Sequence, residues 1–304
     1  MSEEGKKKVE TKAEKRMGRF ITRSEAIEAA NRLRVALDGS RYVIRFFLTQ
    51  RVEHLILLVS FTMLGVTGLS QTFYDTLIGD YILNLFGGID SIRQVHRVFS
   101  FLLGVQSINH VWIFLFNPVA YRQISKFWPN WSDLEHFFQT IKLNLGLSEQ
   151  RPRFDRYTFE EKVDYWALVL GTVIMGVTGL MQWFPMLVTE FLPGWAIPAA
   201  RALHKWQAIL TVLAIMTWHF YHVVLKTFNT SIFTGVMTIK EMKEEHPAEL
   251  LYLERAAAIA GSKKWPVFIN LQFEENTPSD NKNNPEKKAK MQKIPRNERQ
   301  PRRN

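Results

Sequence analysis

Four long stretches of this 304-residue chain contain no Asp, Glu, Lys or Arg, and they constrain its fold more than any other feature. The stretches are Leu55–Phe73, Val98–Tyr121, Tyr165–Thr189 and Trp206–Leu225. Each is close to the ~20 apolar residues that a helix needs to cross ~30 Å of hydrocarbon. Buried helices of soluble proteins seldom stay uncharged for so long. The pattern therefore predicts an all-α fold, a four-helix transmembrane bundle with N- and C-terminal extensions.

The charges of the connecting segments predict the orientation of these helices. The segments before the first window and after the fourth are strongly basic. The loop between the second and third windows is also basic, through Arg122, Lys126, Lys142, Arg151, Arg153, Arg156 and Lys162. By contrast, the segment from Tyr74 to Ile92 contains acidic residues and no Lys or Arg. The positive-inside rule then predicts a multi-pass membrane protein with both termini and the middle loop in the cytoplasm.

The same patterning divides the chain into three segments. A basic cytoplasmic segment is expected over 1–44, the membrane domain over 45–255 and a basic, largely disordered cytoplasmic tail over 256–304. Apolar residues at helical spacing predict a short helix over Ser24–Asp38. Leu134–Leu147 is amphipathic and is expected to lie along the membrane interface, with His136 exposed.

The net charge of +10 allows two classes of partner, anionic lipid and nucleic acid. The basic tail beside a membrane favours contact with lipid headgroups. Nucleic acid is not expected as a partner, because no folded basic or aromatic platform accompanies the charge.

Residues able to carry chemistry are few in kind. The chain has no Cys, which excludes disulfides, iron–sulfur ligation, a Cys nucleophile and covalent haem attachment through CxxCH. Ionisable groups at membrane depth are costly and are therefore functional candidates. Six of the eight His lie in or at the ends of the predicted helices, namely His54, His96, His110, His204, His219 and His222.

These histidines fall at two depths. His96 and His204 lie at the start of the second and fourth helices, so both are expected near the outer side. The other four are expected near the cytoplasmic side. Along the second helix, His96 and His110 are 14 residues apart, ~21 Å along the axis; His204 and His219 are 15 apart, ~22 Å. Two stacked b-type haems require this arrangement, with each iron taking one imidazole from each of two helices.

The two levels are not equally well defined. At the outer level only His96 and His204 are available, and nearby basic residues could pair with haem propionates, namely Arg93, Arg97, Arg201 and Lys205. At the inner level four His compete for two axial positions. Of these, His110 and His222 could instead bind propionates, line a quinone site or ligate a third haem. A zinc site is disfavoured because no Cys or carboxylate converges with these His.

The chain also repeats itself. The segment Met63–Leu69 returns as Ile174–Leu180, and both contain the sequence Gly-Val-Thr-Gly-Leu. Their glycines allow helix backbones, or a flat ligand, to come close. Glu53 and Asp164 occupy equivalent positions in this repeat.

Several motifs together carry a specific resemblance. They are Arg45–His54, Arg93–Arg97, Arg156–Lys162 followed by Tyr165-Trp166, Leu203-His204, Trp218–Tyr221 and His246-Pro247. Over roughly residues 45–255 the chain resembles the cytochrome b (gamma) subunit of membrane-bound formate dehydrogenases and related quinone oxidoreductases.

The resemblance implies an assignment of ligands. It implies two b haems, one on His96 with His204 and one on His54 with His219. It also implies a pocket for a quinone such as menaquinone at the cytoplasmic side, where Thr158, Glu160 and Lys162 fall on the matching stretch. By position, Glu53, Asp164, Glu160 and His222 are candidates for proton exchange there. Ligation by His110 with His219, as in the cytochrome b of bc complexes, is the alternative.

The resemblance further implies a function. The chain would anchor a complex in a prokaryotic inner membrane and carry electrons between the quinone pool and partner redox subunits. Such partners are periplasmic-side or other subunits, iron–sulfur or multihaem c-type. The chain has no nucleotide, molybdenum or iron–sulfur signature, so we expect it to be catalytic only with them. Two alternatives stay open: a standalone transmembrane cytochrome b reductase and a haem-free proton-coupled transporter.

Overall fold

The computed structural model describes residues 18–149, 151–263 and 267–270. Residues 20–269 belong to one compact unit, and the described residues Gly18, Arg19 and Asn270 belong to a second. The predicted disordered tail lies, from residue 271 onward, outside the described residues.

Helices dominate the described part of the chain. In order they are α1 (Arg23–Arg32), α2 (Leu48–Thr72), α3 (Leu77–Leu85), α4 (Ile89–Phe116), α5 (Pro118–Ile124), α6 (Trp131–Asn144), α7 (Phe159–Trp183), α8 (Pro185–Phe191), α9 (Ala196–Ala214), α10 (Ser231–Thr234), α11 (Ile239–Glu245) and α12 (Pro247–Ala258). A 3₁₀ turn covers Ser125–Phe127, and π-helical turns over Ile215–His219 and Tyr221–Lys226 prolong α9. Five short strands are β1 (Gly18–Ile21), β2 (Leu33–Val35), β3 (Arg41–Ile44), β4 (Val236–Thr238) and β5 (Val267–Asn270).

In the part of the chain that the structure describes, four helices are long and apolar enough to cross a membrane: α2, α4, α7 and the continuous span Ala196–Lys226. Large apolar side chains stay exposed along them, among them Phe101, Ile108 and Trp112 on α4. Water would penalise such a surface heavily, whereas hydrocarbon would not. The prediction of a four-helix transmembrane fold is confirmed.

The internal repeat extends to the arrangement of these helices. The span α2 packs against α4, α7 packs against α9, and α2 also contacts α9. The short helices α3 and α8 follow α2 and α7 at one end of the bundle, called here the far end. At the other end, called the near end, α2 and α7 begin and α4 and the Ala196–Lys226 span finish.

The segment before the first span folds differently from the prediction. The helix predicted over Ser24–Asp38 ends at Arg32, and Leu33–Val35 forms a strand paired antiparallel with β3. Gly39, with φ of +82°, allows the tight turn between the two strands. The prediction was wrong here because β3 pairs with both β2 and β4, and β4 lies about 200 residues away in the sequence. Val43, at the centre of β3, is fully buried. The second predicted helix, over Leu134–Leu147, is present as α6.

A buried cluster of charges ties together the elements outside the spans. Helix α1 packs on α12, and Glu249 of α12 is fully buried. Its carboxylate lies within 3.5 Å of cationic nitrogens on Arg32, Lys126 and Arg156. Burial alone would raise the pKa of Glu249, but Lys126, Arg32 and Arg156 together hold that pKa well below its usual range. One carboxylate thereby joins four segments that are distant in sequence.

Candidate functional site

Two histidines face each other at the far end. His96 on α4 and His204 on α9 have ring centroids 6.4 Å apart, with 66° between the ring planes. An ion bound between two imidazole nitrogens at about 2 Å each, the usual length of such a bond, would hold the ring centroids about 6 Å apart. The pair is therefore spaced to receive one metal ion between its rings.

Hydrogen bonds fix the tautomer of the first ring. The Thr67 hydroxyl donates its single proton to the Met63 carbonyl oxygen at 2.7 Å. Toward His96 the hydroxyl can then only accept, and Nδ1 of His96 lies 2.8 Å from it. The proton therefore sits on Nδ1, and Nε2 keeps the lone pair that a metal requires.

The second ring is held in the same way. Thr178, the repeat equivalent of Thr67, donates to the carbonyl of Ile174 at 2.7 Å and lies 2.9 Å from Nδ1 of His204. His204 is thus also a neutral imidazole with Nε2 free. The pair is built by two copies of one motif.

The glycine after each threonine provides the space that the rings occupy. A Cβ on Gly68 would lie 3.2 Å from Cε1 of His96, and one on Gly179 would lie 3.4 Å from Cε1 of His204. The first distance is closer than ordinary van der Waals contact, and the second lies at its lower limit. The repeated Thr-Gly pair therefore has a local task at the histidines, which the sequence could not separate from helix packing.

The far-end cations stay in exposed positions. Arg93, Arg97, Arg201 and Lys205 all have exposed side chains. The Arg97 guanidinium lies 5.2 Å from the ring centroid of Trp183, and Arg93 reaches Asp90 at 3.5 Å. Their exposed ends leave them free to approach a carboxylate on a bound ligand.

The near-end histidines line a large cavity between the spans. The cavity has a volume of about 2130 Å³ and is bordered by all four spans. His54, His110, His219 and His222 all line it. Its size exceeds that of a typical small-molecule pocket, so there is room for more than one ligand.

Two of these histidines are oriented by carboxylates. Nδ1 of His219 lies 3.0 Å from Oδ2 of Asp164, and Nδ1 of His110 lies 3.1 Å from Oε2 of Glu53. A carboxylate holds the proton of a neutral imidazole on Nδ1 and leaves Nε2 as the acceptor. Glu53 and Asp164, which are equivalent in the repeat, therefore each orient one imidazole.

The four near-end histidines differ in the groups that lie beside their rings. Nε2 of His110 lies 3.3 Å from the Tyr165 hydroxyl. His222 is half-buried, and its Nδ1 donates to the carbonyl of Trp218, one turn earlier, at 2.8 Å. His54 lies close enough to His219 for their charges to interact.

The π-helical turn at Ile215–His219 resolves a mismatch in spacing. The two His of α4 are 14 residues apart, whereas His204 and His219 are 15 apart. A π turn bonds i to i+5 and so takes up one residue more than an α turn. The extra residue is absorbed, and His219 stays on the face that carries His204.

The other predicted pocket residues serve several roles. The Thr158 hydroxyl caps α7 by accepting from the backbone N–H of Glu161. Lys162 is buried, and its Nζ donates to Asp133 at 2.8 Å. It is not among the residues that line the cavity. Glu160 does line the cavity; one of its oxygens is 3.7 Å from Lys226, and the other is buried without a hydrogen-bond partner.

The two remaining histidines lie outside the spans. His246 is buried, and its Nδ1 donates to the carbonyl of Asp155 at 2.8 Å. Burial and the nearby Arg45 lower the pKa of His246 to about 4. His136 of α6 packs edge-on against Phe154. Both side chains are held by contacts within the folded protein, outside the spans.

The ligand chemistry of the histidine pairs is selective. Among the described residues, no group of three or more His, Cys, Asp or Glu is arranged to hold a metal ion. Two imidazoles are too few for a zinc site, which takes three or four protein ligands. They are the number required by an iron that a macrocycle already holds, so the residues present fit a haem.

Comparisons with known proteins agree with this chemistry. The family described as prokaryotic cytochrome b561 matches residues 45–235. The cytochrome b556(fdo) subunit of formate dehydrogenase from Escherichia coli is 23% identical over 208 residues, 67% of this chain and 90% of that protein. The nitrate-inducible cytochrome b556(Fdn) subunit of the same organism is 20% identical over 73% of this chain and 96% of its own length. A formate dehydrogenase cytochrome b556 subunit of Haemophilus influenzae is 22% identical over 70% of this chain and 84% of its own length.

Proposed function

The chain belongs to the prokaryotic cytochrome b561 family, and from this premise we propose that it is a di-haem membrane subunit carrying electrons between quinone and partner redox subunits. Membership makes it a membrane cytochrome b in electron transfer, with b-type haem and a multi-pass position in a prokaryotic inner membrane. The number of haems, their ligands, the quinone and the partners are our proposal.

The far-end pair carries the proposal. His96 and His204 face each other with both Nδ1 protons bound by threonines of the repeat. We assign them as axial ligands of the first haem. Arg93, Arg97, Arg201 and Lys205 are the cations available to its propionates at the membrane surface.

His54 and His219 are the ligands we assign to the second haem, at the near end. They line one cavity and belong to α2 and the last span, which are in contact. Asp164 fixes the tautomer of His219 and increases the basicity of its Nε2. A bound haem supplies a one-electron carrier at each level. The role of the protein is to hold the imidazoles neutral, aligned and away from water.

We assign the remaining volume of the near-end cavity to the quinone, with menaquinone as one candidate. Glu53 and Asp164 border it and are engaged with histidines. Glu160 borders it with an unpaired buried oxygen, which makes it the strongest of the predicted polar contacts on α7. Thr158 and Lys162 act through the start of α7, by capping it and by bonding Asp133.

Partner subunits complete the proposal. The relatives are named as subunits of formate dehydrogenase, so we propose that this chain anchors other subunits of a comparable complex. Iron–sulfur or multihaem c-type proteins are suitable electron donors or acceptors. The basic near-end segments orient both termini toward the cytoplasm, which puts the far-end haem on the periplasmic side.

Haem counting tests the proposal directly. Dithionite-reduced minus oxidised spectra and a pyridine-haemochrome count per chain should give two b haems in the purified full-length protein. His96→Ala should lose the far-end haem and His54→Ala the near-end haem, each retaining one. His136→Ala, outside the spans, is the matched control and should retain both. Folded, haem-supplied protein with no haem would refute the proposal.

A further inference from the structure

Three side chains from three different spans are hydrogen-bonded in series on the wall of the near-end cavity. Nδ1 of His110, on α4, lies 3.1 Å from Oε2 of Glu53, on α2. Nε2 of His110 lies 3.3 Å from the hydroxyl of Tyr165, on α7. All three line the cavity. The sequence singles out His110 as a candidate without identifying its partners.

The chemistry of the groups sets the direction of this chain. A carboxylate only accepts hydrogen bonds, so Nδ1 of His110 donates to Glu53. Nε2 then carries the lone pair and accepts from the Tyr165 hydroxyl. Nδ2 of Asn109 donates to the second Glu53 oxygen at 3.3 Å and holds the carboxylate in place. Donation therefore runs from Tyr165 through His110 to Glu53.

The internal repeat shows that this site differs from its counterpart. Glu53 and Asp164 are equivalent, and each orients one imidazole, on His110 and His219 respectively. Tyr165 occupies the repeat position of His54. His219 has His54 near it, whereas His110 has Tyr165, and its Nε2 already accepts from that hydroxyl. A direct hydrogen bond of 3.3 Å leaves no room for a metal ion between the two groups.

We propose that Tyr165 and His110 form a proton relay for the quinone in this cavity, and that His110 serves proton transfer and not iron ligation. The proposal rests on the function proposed above and deepens it. Glu53 is a positioning residue: it orients the imidazole and would stabilise the imidazolium, as the acid does in a Ser-His-Asp triad.

When a quinol is oxidised at this site, its protons would pass along the relay one at a time. The quinol O–H breaks and its proton joins the Tyr165 oxygen, while the Tyr165 hydroxyl proton moves to Nε2 of His110. Tyr165 ends neutral and His110 ends as an imidazolium. The side chain of His110 is 27% exposed and lies at the near end of its span, where the proton would leave before the second one arrives. The haem held by His54 and His219 would supply the one-electron acceptor for the two electrons, and reduction of a quinone would use the same groups in the reverse direction.

Tyr165 is held ready for this role by stacking. The Phe127 ring lies 4.3 Å from the ring of Tyr165 at 16°, and Tyr157 stacks on the far face of Phe127 at 3.7 Å. The carbonyl of Phe127 also accepts from Nε1 of Trp166 at 2.9 Å. Packing therefore fixes the ring, and a hydroxyl on a fixed ring transfers protons without prior reorganisation.

Other titratable groups surround the relay and belong to its pH response. From the loop before α7 comes Tyr157, with two guanidinium groups beside its ring; from α7 comes Asp164; and His54 and His219 line the same cavity from α2 and the last span. Histidines that hold a haem iron could not also accept protons, which leaves His110 as the imidazole of the cavity wall that can receive a proton from Tyr165.

Rapid mixing of the full-length, haem-loaded protein with a soluble quinol tests the relay. The rate of haem reduction is followed from about pH 5 to 9 in the unchanged protein, His110→Gln and Tyr165→Phe, and haem is counted in each. We expect two haems throughout, a rate near neutral pH that falls on the order of 100-fold in both variants, and loss of the pH dependence. Trp112→Phe, on the same helix but with an exposed ring that is not among the residues lining the cavity, is the matched control and should behave as the unchanged protein.

Each other outcome has a defined meaning. One haem fewer in His110→Gln, or three haems in the unchanged protein, would make His110 a ligand and overturn the proposal. Two haems with an unchanged rate and pH profile would also overturn it. If His110→Gln does not fold, Tyr165→Phe, which deletes one atom, decides by the same criteria. Unchanged protein without haem would instead refute the proposed function itself.

A second pair of variants separates the two repeat-equivalent carboxylates. Glu53→Gln should slow quinol-driven reduction of the haems. Asp164→Asn should shift the reduction potential of the near-end haem, because it acts on the proposed ligand His219. Glu53→Asp should restore part of the rate. A rate in Glu53→Gln equal to that of the unchanged protein would contradict the relay.

Discussion

Replacing Thr67 by valine tests whether the repeated threonines serve the haem ligands. Valine keeps the shape of threonine but has no hydroxyl, so Nδ1–H of His96 loses the acceptor now 2.8 Å away. The site is half-buried and lies in an apolar span. A donor left without a partner in such a place costs about 1–3 kcal/mol. At about 1.4 kcal/mol per factor of ten, haem at the far level should bind about 5- to 150-fold more weakly.

The same change should alter the reduction potential of the far-end haem. An imidazole whose Nδ1–H is hydrogen-bonded is a stronger electron donor and favours ferric iron. Its loss should raise the potential, by about 40 mV for each kcal/mol in a one-electron couple. Potentiometric titration of the α-band, together with haem retention after dilution into detergent, measures both effects.

A matched control is present in the same bundle. The Thr217 hydroxyl donates to the Leu213 carbonyl at 2.7 Å, as Thr67 does to its own helix, and no His hydrogen bond to Thr217 occurs among the described residues. Thr217→Val should leave the far-end haem unchanged, and Thr178→Val should reproduce Thr67→Val. If Thr67→Val retained haem and potential as Thr217→Val does, the threonines would not serve the ligands.

Three further predictions concern the glycines and the elements outside the spans. Gly68→Ala should displace the His96 ring and lower far-end haem occupancy, whereas Gly104→Ala, whose added Cβ meets nothing within 4 Å, should not. Equal haem content in the two variants would contradict the role of Gly68 in making space for the His96 ring. Glu249→Gln should destabilise the protein by about 3 kcal/mol in chemical unfolding, because it leaves buried cations unpaired, while exposed Glu254→Gln should cost under about 1 kcal/mol. The pKa of His246 is lowered to about 4 in the folded protein, so as pH falls the unfolded chain binds a proton before the folded protein does. The free energy of unfolding should therefore decrease by about 3 kcal/mol as pH drops from about 6.5 to 4. His246→Gln should remove that pH dependence, and an unchanged unfolding profile would contradict it.

Predictions made along one helix agreed with the structure, and those that needed two segments were incomplete. The charge-free windows identified all four spans, because membrane solvation acts on each segment separately. The strand Leu33–Val35 was missed, since its partner β3 and the third strand β4 are brought together only by folding. The cluster at Glu249 has no signal in the sequence, because its four residues come from four distant segments.

The histidines show which features of the site can be predicted from the sequence and which cannot. Depth in the membrane follows from position along a helix, at about 1.5 Å per residue, so the two levels of His can be read from the sequence. The facing of side chains depends on the rotation and contact of whole helices, which no local pattern fixes. Only the tertiary structure brings Tyr165 to His110 and Asp164 to His219, and only its π turn absorbs the odd residue before His219. The sequence by itself determined a membrane bundle with two levels of histidines; folding decided which imidazole has a free Nε2 and which already shares it.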